Sequence, residues 1–168
     1  ERWPAAWDGP AKAFRDKRAT AGKAQLDLSY STGPRNRFDL YLPDSEPKGL
    51  VVYIHGGYWK AFDKSTWSHL AAGCIANGYA VAMPSYSLCP DVRIADIGRE
   101  VGAAIEAAAG LVDGPLMLTG HSAGGHLASR MICSDTPLSP AIQSRIRNVV
   151  SISGLHDLRP LMMTQMNE

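Results

Sequence analysis

Two hydrophobic rhythms divide the chain. In Gln25-Leu26-Asp27-Leu28-Ser29 and Phe38-Asp39-Leu40-Tyr41-Leu42, apolar and polar residues alternate, the period of a strand with one face on a core and the other toward water. The Gly33-Pro34-Arg35-Asn36 cluster between them supplies a turn. These strands are expected to pair as an antiparallel hairpin at a sheet edge, because antiparallel strands tolerate a solvated face and parallel strands seldom do. From Leu50 onward the rhythm changes. Leu50-Val51-Val52-Tyr53-Ile54, Ala80-Val81-Ala82-Met83, Leu116-Met117-Leu118 and Val149-Val150-Ser151-Ile152 are short, unbroken apolar runs, as strands buried on both faces should be.

Helical patterns separate these runs. A polar opening helix is expected from about Ala11 to Arg18; Ser65 to Asn77 stops before Gly78, Ile94 to Ala109 stops before Gly110, and Ala123 to Cys133 follows the third run. Glycine just past the last periodic residue is a helix stop. The alternation predicts an α/β chain: a mostly parallel sheet, an antiparallel hairpin at its N-terminal edge, and helices on both faces. No internal repeat or low-complexity linker interrupts it, and 168 residues fit one domain, 1–168.

Composition narrows the function. The 17 basic and 16 acidic side chains nearly cancel, so no large field exists to hold nucleic acid or an anionic membrane, and a small-molecule partner is expected. Self-association into a homo-oligomer stays open. Cys74, Cys89 and Cys133 are odd in number and lack zinc or disulfide spacing. Neither a metal nor a cofactor is expected, and a reducing, cytoplasmic location fits. The first ten residues carry charges and prolines where an export signal needs an apolar run.

Two motifs carry chemistry. Gly120-His121-Ser122-Ala123-Gly124-Gly125 follows the third apolar run and opens a helix, the setting of a nucleophile elbow, where a serine on a sharp strand-to-helix turn needs small neighbours. The helix N-terminus beneath it favours developing negative charge. His55-Gly56-Gly57-Tyr58-Trp59 directly follows the first buried run, where such a fold places an oxyanion-hole loop. Backbone N–H groups of the Gly56-Gly57-Tyr58 stretch would join that of Ala123 against a tetrahedral oxyanion, each donor contributing about 3 to 4 kcal/mol. Either motif alone could be a plain glycine-rich turn; the two in this order favour catalysis.

With these residues in view, the chain resembles the α/β-hydrolase superfamily, and within it the kynurenine formamidase and hormone-sensitive-lipase-like esterase group. His55-Gly56-Gly57-Tyr58-Trp59 is similar to the formamidase form of the oxyanion motif, since the lipase-like branch has a third glycine where Tyr58 stands. Pro84-Ser85-Tyr86-Ser87-Leu88-Cys89-Pro90 is similar to the D-Y-R-L-A-P loop, with Ser85 and Ser87 in place of its Asp and Arg. The resemblance implies a serine hydrolase that forms an acyl-enzyme on Ser122 from an aryl formamide such as N-formylkynurenine or, as the runner-up, from a short-chain carboxylic ester.

A serine nucleophile needs a histidine base and an acid to orient it, in the chain order Ser, acid, His in this fold. Only one apolar run follows the elbow, so the acid and base are expected beyond residue 168, on further strands. His156 and Asp157 are adjacent and in reversed order, which unsuits them as base and orienter. Asp157 reads as a cap for a helix starting near Leu158, with His156 lining the pocket mouth or exposed. His126 points along its helix away from Ser122 and reads as packing. His121 helps shape the elbow and is also expected to border the substrate pocket, and His69 sits on an amphipathic helix. His55, Tyr58 and Trp59 border the expected substrate pocket, the aromatics either as its wall or as core. Met162, Met163 and Met166 form a covering helix face. The absent base leaves one rival of another class, a hydrolase-fold binding protein without turnover, against which the intact elbow stands.

Overall fold

The computed structural model describes residues 3–163. Helix α1 (Trp3–Thr20) leads into strands β1 (Ala24–Ser29), β2 (Arg37–Tyr41) and β3 (Leu50–Ile54). A 3-10 helix (Lys64–Ala71) and the short α2 (Ala72–Ala76) connect to β4 (Ala80–Pro84), and α3 (Ile94–Ala109) connects to β5 (Leu116–His121). Helices α4 (Ala123–Arg130) and α5 (Pro140–Arg145) precede β6 (Ile146–Ile152), and a 3-10 turn covers Arg159–Met163.

The strand order is β1-β2-β4-β3-β5-β6. β1–β2 and β2–β4 are antiparallel; β3–β4, β3–β5 and β5–β6 are parallel. Period-2 alternation sorts the buried runs onto two faces. Leu50, Val52 and Ile54 pack with Ile97, Val101 and Ile105 of α3 and Leu127 of α4. Val51, Val81 and Met83 pack with Phe14 of α1 and Ile75 of α2. The fold is the expected one: a mixed, mostly parallel sheet with helices on both faces.

Four details differ from the sequence reading. First, β2 has no face toward water: Phe38, Asp39, Leu40 and Tyr41 are all buried. Asp39 is tolerated because Lys64 Nζ lies 2.7 Å from its Oδ1, Asp27 N–H donates to the same oxygen at 2.9 Å, and Tyr41 O–H donates to Oδ2 at 3.1 Å. A buried carboxylate persists only when paired and hydrogen-bonded in this way. Second, the Ser65–Asn77 helix is 3-10 over its first half. Asp63 accepts from Ser65 N–H, and the Ser68 hydroxyl bonds the Lys64 and Ser65 carbonyls, so polar side chains compete for the backbone groups an α-helix would use. Third, α1 begins at Trp3 and runs through Pro10, because Trp7 packs on Trp67 and Phe62, ring centroids 4.9 and 6.2 Å away. Fourth, β6 is half-buried on one face and exposed on the other. Val149 meets the core, while Val150 and Ile152 are about half exposed on a face that no described residue covers.

Candidate active site

The turn from β5 into α4 is built around backbone contact. A Cβ on Gly124 would lie 2.6 Å from the His55 carbonyl oxygen and closer still to that of Ile54; one on Gly120 would sit 2.7 Å from the same Ile54 oxygen. Glycine at both positions is what lets β5, α4 and the end of β3 come together. Between them Ser122 takes φ 55° and ψ −118°, a conformation that L-residues adopt at a cost of about 1–3 kcal/mol when surrounding structure enforces it. Two backbone bonds enforce it here: Ser122 N–H donates to the Ile152 carbonyl at 2.8 Å, and the Ser122 carbonyl accepts from His126 N–H at 3.1 Å. The side chain makes no capping bond, so its hydroxyl stands partly exposed with no partner among the described residues.

The loop after β3 faces this turn. A Cβ on Gly56 would meet the His121 carbonyl at 2.6 Å and the Ser122 Cβ at 3.3 Å, which sets the loop in van der Waals contact with the serine. Gly57, Tyr58 and Trp59 follow with φ of 118°, 52° and 58°. This left-handed stretch is closed by Lys60 and Ala61 N–H groups donating to the Gly57 carbonyl at 2.9 and 3.0 Å. Among the described residues, the N–H groups of Gly57, Tyr58 and Ala123 have no hydrogen-bond partner. Three unpartnered donors near an unpartnered hydroxyl can polarise a carbonyl and hold the oxyanion formed from it.

The histidines divide by burial. His55 is fully buried; its ring stacks on Tyr86 at 4.2 Å and 7°, with Nδ1 2.7 Å from the Gly56 carbonyl. Burial pushes its pKa down to about 4, against the raising effect of that carbonyl. It is therefore a neutral support for the loop rather than a pocket wall. His126 is also buried, edge-on to Trp59 at 5.4 Å, and burial first, then the Arg130 charge, lowers it to about 4. His121 is exposed beside Gly56, shaping the turn as its position in the motif suggests. His156 is exposed, its Nε2 3.2 Å from Ser151 Oγ. Asp157 caps the last turn by accepting from Arg159 N–H at 3.0 Å. No histidine reaches Ser122 among the described residues.

The aromatics of the loop have separate places: Trp59 is in the core, while Tyr58 is half exposed. Both still border a cavity of about 210 Å³, which Leu158, Leu161 and Met162 also line. Met163 is almost fully exposed, and Met166 lies outside the described residues. Among the described residues no group of three or more His, Cys, Asp or Glu side chains is placed to hold a metal ion, the three cysteines are free, and no helix is long and apolar enough to cross a membrane.

Sequence reasoning missed the supports. Tyr86 O–H donates to the His55 carbonyl at 2.8 Å, and Arg35 Nε donates to the Tyr86 carbonyl at 2.7 Å. Glu100 accepts from the N–H and hydroxyl of Ser87 at 2.7 and 2.8 Å. Ser85 Oγ accepts from Lys64 N–H at 3.0 Å. The two serines that depart from the D-Y-R-L-A-P pattern are thus anchored by partners of their own. Tyr86, central in that quoted loop, was the available signal.

Comparison with known proteins agrees with this architecture. The chain is 29% identical over 163 residues to the kynurenine formamidase of Danio rerio, matching 94% of this chain and 55% of that protein. A solved structure of a candidate thioesterase from Silicibacter sp. superposes with a TM-score of 0.95 at 54% identity, covering 98% of this chain and 62% of the other. Esterase B of Lactobacillus rhamnosis, inhibited by a tributyrin phosphonate, gives 0.70 at 26% identity, covering 96% and 60%. The chain spans about half the length of the curated relatives it matches. The BD-FAE family model matches residues 38–168, a span that includes the sheet from β2 onward, the loop after β3 and the elbow. The chain therefore belongs to the BD-FAE family and has the α/β-hydrolase fold.

Proposed function

We propose that this chain carries the nucleophile and oxyanion donors of a serine hydrolase acting on a carboxylic ester or an aryl formamide. The observation that carries the reading is the strained Ser122, its hydroxyl without a partner among the described residues, beside a loop and helix start whose Gly57, Tyr58 and Ala123 N–H groups have none among them either. Gly56 contributes the close approach that brings the loop to the serine. Ser122 Oγ attacks the carbonyl carbon as its proton passes to a histidine that the described residues do not supply. The carbonyl oxygen gains the negative charge and is held by the three N–H groups. Collapse of this intermediate breaks the C–O or C–N bond, and the leaving alcohol or arylamine takes the proton back. Water then releases the acid from the acyl-enzyme by the same route, and no cofactor takes part. The aryl formamide reading draws on the similarity to the Danio rerio enzyme; the ester reading draws on esterase B.

A fluorophosphonate probe tests the nucleophile in the protein at its natural full length. Labelling that disappears in Ser122→Ala is expected; labelling that persists refutes Ser122, and no labelling of the unaltered protein favours the binding-protein rival. Relative rates on N-formylkynurenine and p-nitrophenyl acetate separate the two substrate classes, and a negligible formamidase rate sinks the first.

A further inference from the structure

The loop after β3 is backed by aromatic rings. A Cβ on Gly57 would meet Phe62 Cδ2 at 2.8 Å, with the Ala61 carbonyl oxygen closer still, so the Phe62 ring lies against the Gly57 backbone where not even a methyl group fits. Phe62 itself has φ 69° and is about one-third exposed. A bulky residue keeps that backbone only when its surroundings enforce it, and partial burial enforces it weakly. Two rings and one cation supply the rest. Trp7 of α1 stands edge-on to Phe62, centroids 6.2 Å apart at 67°, and Trp67 of the 3-10 helix does so at 5.6 Å and 78°, the geometry aromatic pairs prefer. The two tryptophans lean on each other at 4.9 Å, and Arg35 Nη2 donates to the Phe62 carbonyl. Helix α1 is in turn tied to the 3-10 helix by Arg15, which donates to the Ser68 hydroxyl at 3.1 Å and to the Ser65 carbonyl.

The peptide joining Gly56 to Gly57 has no side chain on either residue to limit its rotation. Its N–H is one of the unpartnered donors, and a Cβ on Gly56 would meet the Ser122 Cβ at 3.3 Å. Rotation is limited by the turn bonds from Lys60 and Ala61 to the Gly57 carbonyl and by the Phe62 ring. Resting on the acyl-transfer reading above, we propose that Phe62 and Trp7 are positioning residues for hydrolysis: Trp7 holds Phe62 onto Gly57, and so keeps the Gly57 N–H aimed at the oxyanion. Helix α1 thereby acts on the transition state without touching the substrate.

The test measures kcat and KM for p-nitrophenyl acetate in the protein at its natural full length and in Trp7→Ala, Trp7→Phe, Phe62→Leu and the Trp7→Ala, Phe62→Leu double variant. Trp7→Ala is expected to lower kcat about tenfold, less than the hundredfold or more lost with a whole oxyanion donor. KM should change less than about twofold, because the donor acts on the transition state more than on the bound ester. Phe62→Leu, which keeps apolar bulk, should show the same split, and Trp7→Phe should restore most of the rate. Since Trp7 acts through Phe62, the double variant should lose no more than the worse single one. An unchanged kcat in Trp7→Ala overturns the proposal, as do losses that multiply in the double variant. Amide exchange separates this from the hydrolase reading. In Trp7→Ala the Lys60 and Ala61 amides, which close the turn, should exchange about fivefold faster while those of β5 keep their rate. Faster exchange in a protein that hydrolyses no ester keeps the support and removes the hydrolase reading. Undiminished hydrolysis with exchange unmoved does the reverse.

Discussion

The buried carboxylate of the hairpin and the serine of the elbow are handled in opposite ways. On the hairpin flank, Asp39 is buried and each of its oxygens is engaged, with Lys64 bridging it to Asp27 at 2.7 and 2.8 Å. On the elbow flank, the Ser122 hydroxyl and the N–H groups of Gly57, Tyr58 and Ala123 have no partner among the described residues, and Tyr58, Trp59 and Ser122 sit at positive φ, as Asp27 alone does on the hairpin. The first arrangement is what burial demands of charge. The second holds strain that the surrounding structure enforces, a feature that clusters at functional sites. The contrast teaches that a buried charge is kept here with its partners in place, while the turn and loop around Ser122 keep donors open, which supports the reading proposed above.

The contrast can be broken from either side. The largest effect is expected from Ser122→Ala, which should lower hydrolysis by about 10⁴-fold to 10⁶-fold, as nucleophile removal does in other serine hydrolases. Because the hydroxyl bonds nothing, the melting temperature should stay level or rise; a fall in stability with activity kept would reverse the assignment. Asp39→Ala should do the opposite. It leaves Lys64 with Asp27 as its ion-pair partner and removes the buried acceptor of the Asp27 N–H and Tyr41 O–H, and should cost about 1–3 kcal/mol in urea unfolding, whereas Asp39→Leu combined with Lys64→Met should recover most of that loss.

The flanks should also fail at opposite ends of the pH scale. Asp39 and Asp27 raise the Lys64 pKa above its ordinary value despite the opposing effect of burial, so that pair stabilises fully below about pH 10.5 and weakens as pH rises past it. His55, held near 4 by burial, stabilises above its unfolded value near 6.5 and loses about 3 kcal/mol as pH falls from there to 4. Unfolding curves at pH 5 and 7 should show this slope, flattened by about one proton in His55→Asn. The smallest effect is expected from Lys12→Ala. Its i,i+4 pair with Asp16 on α1 is solvent-exposed, and removing it should change stability by at most about 0.5 kcal/mol.

Much of this was legible in the chain. Unbroken apolar runs located β3, β4 and β5, and glycine spacing located the elbow, because both patterns express local geometry directly. The burial of Asp39 was not legible. Its alternating neighbours are those of a half-solvated strand, and its cation comes from Lys64, 25 residues further on, once β2 has paired with β4 inside the sheet. The 3-10 helix was hidden for a similar reason: hydrophobic spacing is nearly the same for either helix, and serine hydroxyls decide between them. The supports of the loop after β3, Tyr86 and Arg35, act through backbone carbonyls, which leave no side-chain pattern to read. Of the five histidines, His126 and His121 sit as their positions in the motif suggest, while stacking on Tyr86 takes His55 out of the expected pocket.

The contact between Gly124 and the carbonyls of Ile54 and His55 has a consequence for motion. It rivets the turn bearing Ser122 to the end of β3, from which the loop after β3 departs, so two segments some 65 residues apart in sequence open or close as one cooperative unit at the sheet's centre. Amide hydrogens on both segments should then exchange with solvent at a common, slow rate, and heat should silence the chemistry at the temperature at which the whole sheet comes apart.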